Sequence, residues 1–407
     1  MTMNQVRSLV VRSMLFIVRC MTKKYLIRTF GCQQNTADSE RIASMYEARG
    51  FEPADSLAEA DLVVINTCMV RDQAEERVYG LVRTIRNGEG KPDAEIVVTG
   101  CLVGAALREP SGKMAKKVVS RLPDVTLLPI DEVGFEHLPK RSDGRLASIV
   151  IGNGCGNFCA YCIVPYSRGT ESSRPFAEIL EEVRLAVADG KDEILLLGQN
   201  VNSYGSDFLR ERIAEQEPYR LPDGREVAPV MVKHLGKHRI PTLFPHLLEA
   251  VATTPGVSKV SFLSSNPWDF SDELISVIAE NGNIDRLLHL PIQSGSDAIL
   301  RAMNRWYTRD EYLSLVEKIR TAVPDVRFTT DIIVGFPGET ERDFEDTLDI
   351  ARRMKFEKAY LARYSPRPGT ASAKLDDDVP REEKVRRFHE LDRIVLTLSG
   401  RAHLLEK

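Results

Sequence analysis

Cys155, Cys159 and Cys162 stand in the run CGNFCAYC, a CxxxCxxC spacing. Three thiolates so spaced can hold three corners of a cubane iron–sulfur cluster and leave the fourth iron open to a small molecule. Zinc would need a fourth protein ligand, and the surrounding sequence offers no further Cys and no close His. Gly152, Gly154 and Gly156 allow the loop to wrap closely, although their GxG spacing is too sparse to count as a nucleotide fingerprint. Three more cysteines, Cys32, Cys68 and Cys101, are widely separated. A single such Cys is most often a small buried apolar residue. Three at equivalent places in a fold are better read as a second site.

The elements around them supply that equivalence. Between Lys23 and Pro139, YLIRTF precedes a helix from Asp38 to Arg49, LVVIN precedes a helix over AEERVYGLVRTIR, and EIVVTG precedes a helix from Lys113 to Arg121. Strands alternating with helices predict a parallel sheet with crossover helices. Each lone cysteine then falls just past the carboxyl end of a strand, on the edge where such sheets bind ligands. From Leu146 to Ser365 a second alternation runs through LASIVIG, DEILLLG, KVSFLSS, RLLHLPI, VRFTTDIIV and AYLARYS. It predicts a partial (β/α)6 barrel with its site at the strands' carboxyl ends.

The fold class is therefore α/β, with an N-terminal αβ domain over residues 22–139 and the partial barrel over 146–375. A polar stretch, 206–241, reads as an insertion over the barrel mouth. Its HLGKH could place His234 and His238 on one helical face, more plausibly a solvated basic face with Lys233, Lys237 and Arg239 than a metal site. The tail, 376–407, reads as one charged helix.

The chain has 407 residues, a formal charge of −4, 43% hydrophobic and 28% charged content, which excludes disordered and collagen-like classes. No apolar run approaches the roughly 18 residues of a membrane helix. Arg12 and Arg19 interrupt the only stretch resembling a signal peptide, so Met21 is a plausible start and residues 1–20, with Cys20, an upstream extension. Seven cysteines without an export signal argue against a disulfide framework and for reduced thiols in the cytoplasm. The slightly acidic balance means that any RNA partner is bound locally, not by bulk charge.

The CxxxCxxC loop with an aromatic before its last Cys, opening a six-strand barrel, resembles the radical S-adenosylmethionine (SAM) superfamily. FGCQQNTADSE, INTCMVRDQAEERVYG and VTGCL before it, and HLPIQSGSD, DIIVGFPGET and YSPRPGT after it, narrow the resemblance to methylthiotransferases of the MiaB type. The likeness runs from about Tyr25 to Arg387. It implies that Cys155, Cys159 and Cys162 bind a 4Fe–4S cluster chelated by SAM, and that Cys32, Cys68 and Cys101 bind an auxiliary 4Fe–4S cluster carrying the sulfur to be transferred. It implies contacts to SAM from Tyr161, Gln199, Gln293 and Asp331, with a structural hydrogen bond in the barrel as the alternative for Gln199 and Gln293. Gly335 and Gly338 would let the chain turn close to SAM.

The reaction so implied is methylthiolation of N6-dimethylallyladenosine beside the tRNA anticodon. One SAM gives the methyl group, and a second gives the radical that takes hydrogen from the adenine carbon. No acid–base residue is required at the centre. The partners implied are the tRNA anticodon arm and a one-electron reductant such as flavodoxin or ferredoxin, with the enzyme a monomer that touches no membrane. Alternatives are methylthiolation of threonylcarbamoyladenosine or of a ribosomal-protein aspartate, and, outside enzymes, an iron–sulfur redox-sensing RNA-binding protein. The family pattern adds a β-rich RNA-binding TRAM module, which is expected to be absent here because no strand pattern follows the tail helix. That leaves Arg381, Lys384, Arg386 and Arg387 as the clustered cations for phosphate contacts.

Overall fold

The computed structural model describes residues 22–69, 72–109, 111–141, 144–213, 218–234 and 238–401. The upstream extension, residues 1–20 with Cys20, lies outside the described residues.

Five parallel strands form the first sheet: β1 (Lys24–Thr29), β2 (Glu52–Pro53), β3 (Leu62–Thr67), β4 (Glu95–Gly100) and β5 (Thr126–Leu128), in the order β2-β1-β3-β4-β5. Every residue of β3 is buried, as befits a strand covered on both faces. The crossover helices are α1 (Gln33–Ala48), α2 (Asp72–Thr84), α3 (Cys101–Arg108) and α4 (Lys113–Arg121). Sequence patterning predicts three strands and three helices here, and misses β2, β5 and α3. The two strands are short edge pieces, one carrying Pro53, where ladder bonds are dispensable. Helix α3 buries Cys101 through Ala106 and so has no polar face to show a helical period. Helix α1 starts at Gln33, not Asp38, because Gln34 and Asn35 are buried hydrogen-bonding residues, not loop residues.

Six parallel strands follow in chain order, as the sequence predicts: β6 (Leu146–Val150), β7 (Glu193–Leu197), then beyond a hairpin of β8 (Val230–His234) and β9 (His238–Thr242), β10 (Lys259–Phe262), β11 (Leu287–His289), β12 (Arg327–Val334) and β13 (Lys358–Arg363). They make two three-stranded sheets joined at a single Val260–Ile284 pairing, which leaves the barrel incomplete. Helices α5 (Val164–Arg168), α6 (Phe176–Ala188), α7 (Ser206–Ile213), α8 (Phe244–Ala252), α9 (Asp272–Glu280), α10 (Asp297–Ala302), α11 (Arg309–Ala322) and α12 (Glu341–Met354) accompany them. Ser271, Ser296, Thr308 and Thr340 cap α9 to α12 by accepting a backbone N–H.

The main core lies between strands and outer helices, where Ile149, Leu196, Leu288 and Ile332 meet Phe176, Leu247, Val316 and Phe344. Inside the lumen a smaller cluster, Val150, Leu195 and Leu197, is closed by Ala37 of α1, so the first domain plugs the open barrel.

Two expectations are corrected. His234, ending β8, pairs with His238, opening β9, across an antiparallel strand pair and not on one helical face, because Val230, Val232 and Ile240 form a small apolar cluster that fixes the pair. On the tail helix α13 (Arg381–Leu398), three of the four cations expected to meet phosphate are engaged in ion pairs. Arg387 is buried on Glu339 at 2.7 Å, Lys384 is paired with Asp377, and Arg386 is held by Glu341, Glu383 and Glu390. Glu339, which is buried, and Glu341 belong to the barrel, so their pairs clamp the helix onto it. Among the described residues no helix is long and apolar enough to cross a membrane.

Candidate functional site

The three lone cysteines sit at three strand-to-helix junctions of one sheet edge. Cys32 precedes the first residue of α1, Cys68 follows β3, and Cys101 opens α3. A buried polar lattice ties the junctions together. The amide nitrogen of Asn35 donates to Asn66 Oδ1 and to the Thr67 carbonyl, each at 3.0 Å, while its oxygen accepts the Cys32 N–H at 3.3 Å. Asn66 donates back to the Asn35 carbonyl at 2.8 Å. The Thr67 hydroxyl donates to the Thr99 carbonyl at 2.7 Å and accepts the Leu102 N–H at 3.2 Å. Gly100 has φ +88°, and a Cβ there would lie 2.4 Å from the Thr67 carbonyl, so only glycine lets Cys101 approach Cys68. The Cys101 thiol is held down to about 5 by its hydrogen bond with Cys68, against burial, and by the guanidinium of Arg168. The N-terminus of α3 favours thiolate at Cys101 as well. Cys32 is exposed, whereas Cys68 and Cys101 are buried.

Replacing Asn66 by Leu removes its bonds with the Asn35 amide, the Asn35 carbonyl and Ser39, while Asn35 keeps the Thr67 carbonyl and Ser39 keeps Thr29, at a cost of roughly 0.5–1.5 kcal/mol per bond lost. Expected is selective loss of iron from the first triad, seen as about half the wild-type iron per chain after anaerobic reconstitution. Full iron in that variant would show that the lattice does not position the cysteines.

The second triad occupies the loop after β6. Cys155 and Cys159 are buried and Cys162 partly so. Backbone N–H groups of Asn157 and Val164 donate to the sulfurs of Cys155 and Cys162, and Arg305 Nη1 points at the sulfur of Cys159 from 3.7 Å. Burial raises the Cys155 thiol and pushes Cys162 up to about 12, so the loop favours neutral thiols until a cationic centre sits among them. Both amide atoms of Asn157 are buried without a hydrogen-bond partner. Donors aimed at sulfur and an orphaned amide suit an anionic metal–sulfide group. Among the described residues no three His, Cys, Asp or Glu side chains stand close enough to hold one metal ion.

Two buried arginines, both unremarked by sequence reasoning, organise the space around the triads. Arg168, ending α5, reaches from the barrel domain into the first domain: Nη2 donates to Asp38 Oδ2 at 2.7 Å, Nη1 to Asn153 Oδ1 at 3.1 Å, and the guanidinium also bonds the Cys101 sulfur. Helix α3 meets this segment at Gly104, where a Cβ would fall 1.9 Å from the Ser167 carbonyl. Arg305 bonds Asn266 Oδ1 at 3.0 Å and the Pro291 carbonyl at 2.8 Å, with Trp268 and Tyr307 stacked on it. It therefore ties the Cys159 sulfur to the ends of β10 and β11. The signal in sequence was slight, since each arginine meets partners more than a hundred residues away.

The remaining sequence-predicted residues fall into two places. Tyr161 is half-buried beside the second triad and packs against Ala160 and Phe336. Gln199 is half-buried just past β7. Gln293 follows β11 with φ +71°, a conformation non-glycine residues rarely adopt; its N–H donates to the Asp331 carbonyl at 2.8 Å and its carbonyl accepts from Ile333 at 2.9 Å. Its backbone is thus a structural link in the barrel. Asp331 stands apart, inside the lumen, with its carboxylate 3.3 Å from His289 Nε2. A cavity of about 460 Å³ joins Cys32, Gln33 and Gln199 to His289, Asp331 and Tyr360, so it has walls from both domains. Among the described residues, none of the 206–241 insertion lines it.

Residues 149–351 match the family model described as the radical SAM superfamily, and residues 24–119 match the uncharacterized protein family UPF0004. A tRNA-2-methylthio-N(6)-dimethylallyladenosine synthase of Caldicellulosiruptor saccharolyticus is 42% identical over 398 residues, spanning 92% of this chain and 78% of that protein. The protein of the same name from Carboxydothermus hydrogenoformans is 41% identical, over 91% of this chain and 82% of its own. The chain belongs to the radical SAM methylthiotransferase family.

Methylthiotransferase membership places both triads in one enzyme and sets aside a sensor without catalysis. The fold is shared more widely. The radical SAM methyltransferase TsrM from Kitasatospora setae, with cobalamin and a [4Fe-4S] cluster bound, superposes with TM-score 0.54 at 14% identity, covering 86% of this chain and 74% of its own. The cobalamin-dependent radical SAM enzyme OxsB superposes with TM-score 0.51 at 10% identity, covering 90% of this chain and 56% of its own.

Proposed function

We propose that this methylthiotransferase converts N6-dimethylallyladenosine beside the tRNA anticodon into its 2-methylthio derivative. The observation that carries the reading is the nearness of the two cysteine triads, close enough for Cys101 to bear on the Cys162 thiol, beside a cavity that Cys32 lines, in a chain whose relatives are synthases of that nucleoside. Cys155, Cys159 and Cys162 would hold the SAM-binding 4Fe–4S cluster, and Cys32, Cys68 and Cys101 the auxiliary one. When bound, these groups supply a carbon-centred radical that abstracts hydrogen, a methyl group and the sulfur. The chain's own contribution is placement. Arg305 fixes the Cys159 sulfur, the Asn35–Asn66–Thr67 lattice fixes the first triad, and Tyr161, Gln199 and Gln293 would supply contacts to SAM. Val150, Leu195 and Leu197, closed by Ala37, keep water out of the lumen behind it. A one-electron reductant such as flavodoxin or ferredoxin completes the system.

Mass spectrometry of tRNA nucleosides from cells with and without the gene tests this. Loss of the 2-methylthio nucleoside with accumulation of N6-dimethylallyladenosine is expected on deletion. Loss of methylthiolated threonylcarbamoyladenosine, or an unmethylthiolated ribosomal-protein aspartate with normal tRNA, would move the substrate to a sister reaction.

A further inference from the structure

The lumen cavity holds a set of groups that neither triad uses. His289 Nδ1 is hydrogen-bonded with the Thr329 hydroxyl at 2.9 Å, and its Nε2 faces Asp331 Oδ2 at 3.3 Å. The side chain of His289 is 14% exposed and that of Asp331 41%, so the histidine is a fixed support and the carboxylate opens on the cavity. Tyr360, 49% exposed, sets its ring edge-on to His289 with centroids 5.9 Å apart, and Lys358 Nζ lies 4.4 Å from the same ring. The opposite wall is Cys32 with Gln33.

We infer that this cavity is the nucleobase pocket, in which Tyr360 stacks on a purine and the Asp331 carboxylate, held by His289, accepts the hydrogen of the exocyclic N6. The inference rests on the proposed methylthiotransfer to adenosine and assigns the residues that would select the base. Chemistry favours a base over a phosphate or a sugar. The free acceptor is anionic and repels phosphate, and the exposed flat surface beside it is aromatic, with worth in stacking any base. Adenine presents a donor at its N6 where guanine presents an acceptor at O6, so a carboxylate accepts the first and repels the second. A secondary N6 amine keeps one hydrogen for Asp331 and directs its substituent elsewhere in the cavity. The carbon to be modified would then lie between Asp331 and Cys32, the exposed member of the sulfur-bearing triad.

The test uses reconstituted holoenzyme and two synthetic anticodon stem-loops, one carrying N6-dimethylallyladenosine and one carrying guanosine at the same position. Wild type should prefer the first. Tyr360→Ala should bind it about ten-fold more weakly, and Tyr360→Phe close to wild type, because the ring face is retained. Asp331→Ala should lose most of the discrimination between the two stem-loops. Affinity for SAM and iron per chain, measured on the same samples, should stay at wild-type values and show that the variants are folded. Weaker SAM binding by Asp331→Ala with unchanged RNA discrimination would give the carboxylate to SAM and overturn the inference. So would variants that bind both stem-loops as wild type does while wild type methylthiolates the first. Wild type that neither binds nor modifies either stem-loop overturns the parent reading, and this one with it.

Discussion

Replacing Cys32, Cys68 and Cys101 together by Ala is expected to abolish methylthio transfer while reductive cleavage of SAM continues. The two triads are held by separate means, the first by the lattice between three junctions of the αβ sheet, the second by loop N–H donors and Arg305. Loss of one therefore need not unfold the other. Anaerobically reconstituted wild type should carry about eight irons per chain, two cubane clusters' worth, and each triple variant about four. The complementary variant of Cys155, Cys159 and Cys162 should cleave no SAM at all, a loss limited only by detection. Product formation by the first variant at the wild-type rate would mean that the sulfur does not come from that triad, and loss of all iron in either variant would mean that the sites are not independent.

The second large effect is expected at Arg168. Its side chain is 2% exposed and its partner Asp38 1% exposed, so the pair is a buried ion pair between the two domains. Removing one partner of such a pair typically costs about 3–5 kcal/mol because the other charge stays buried. Arg41, at 3.3 Å from Asp38 Oδ1, recovers part of this. Arg168→Met should therefore lower stability by about 3 kcal/mol in denaturant unfolding of the apoprotein. It should also free the Cys101 thiol from the cation that helps hold it at about 5, and so weaken iron retention by the first triad. Arg168→Lys should not restore it, since one ammonium cannot serve Asp38, Asn153 and Cys101 at once in the fork that a guanidinium presents. Wild-type stability together with full iron in Arg168→Met would show that the domains are joined without it.

The alternation of strands and helices and the barrel class were readable because they rest on local pattern. Strands such as Glu193–Leu197 and Arg327–Val334 carry the apolar runs that a covered parallel strand requires. Elements were missed where that pattern fails: α3, buried along almost its whole length, and β2, too short to show any period. The cysteine spacing named the chemistry for the same local reason. What organises the cysteines was not legible. Asn35, Asn66 and Thr67 sit in the sequence as ordinary polar residues near a turn, and only the sheet brings them within 3.0 Å of one another. Arg305 and His289 gain their meaning from Cys159 and Asp331, to which no short-range pattern connects them.

The clamp formed by α13 has a consequence for how the chain comes into being. The GFPGE turn after β12 is closed by the Gly335 N–H donating to Glu339 at 2.6 Å, and Glu339 in turn needs Arg387 at 2.7 Å, while the Gly338 N–H donates to Asp378 at 2.7 Å. Asp378 and Arg387 come some forty to fifty residues after the turn they steady. During synthesis domains fold as units, the N-terminal one first, so the sheet that carries Cys32, Cys68 and Cys101 is complete long before that turn has its partners. A nascent chain thus matures in a fixed sequence, the sheet with the first triad before the barrel with the second. The last turn of the barrel to set waits for a helix that emerges from the ribosome only after all six barrel strands.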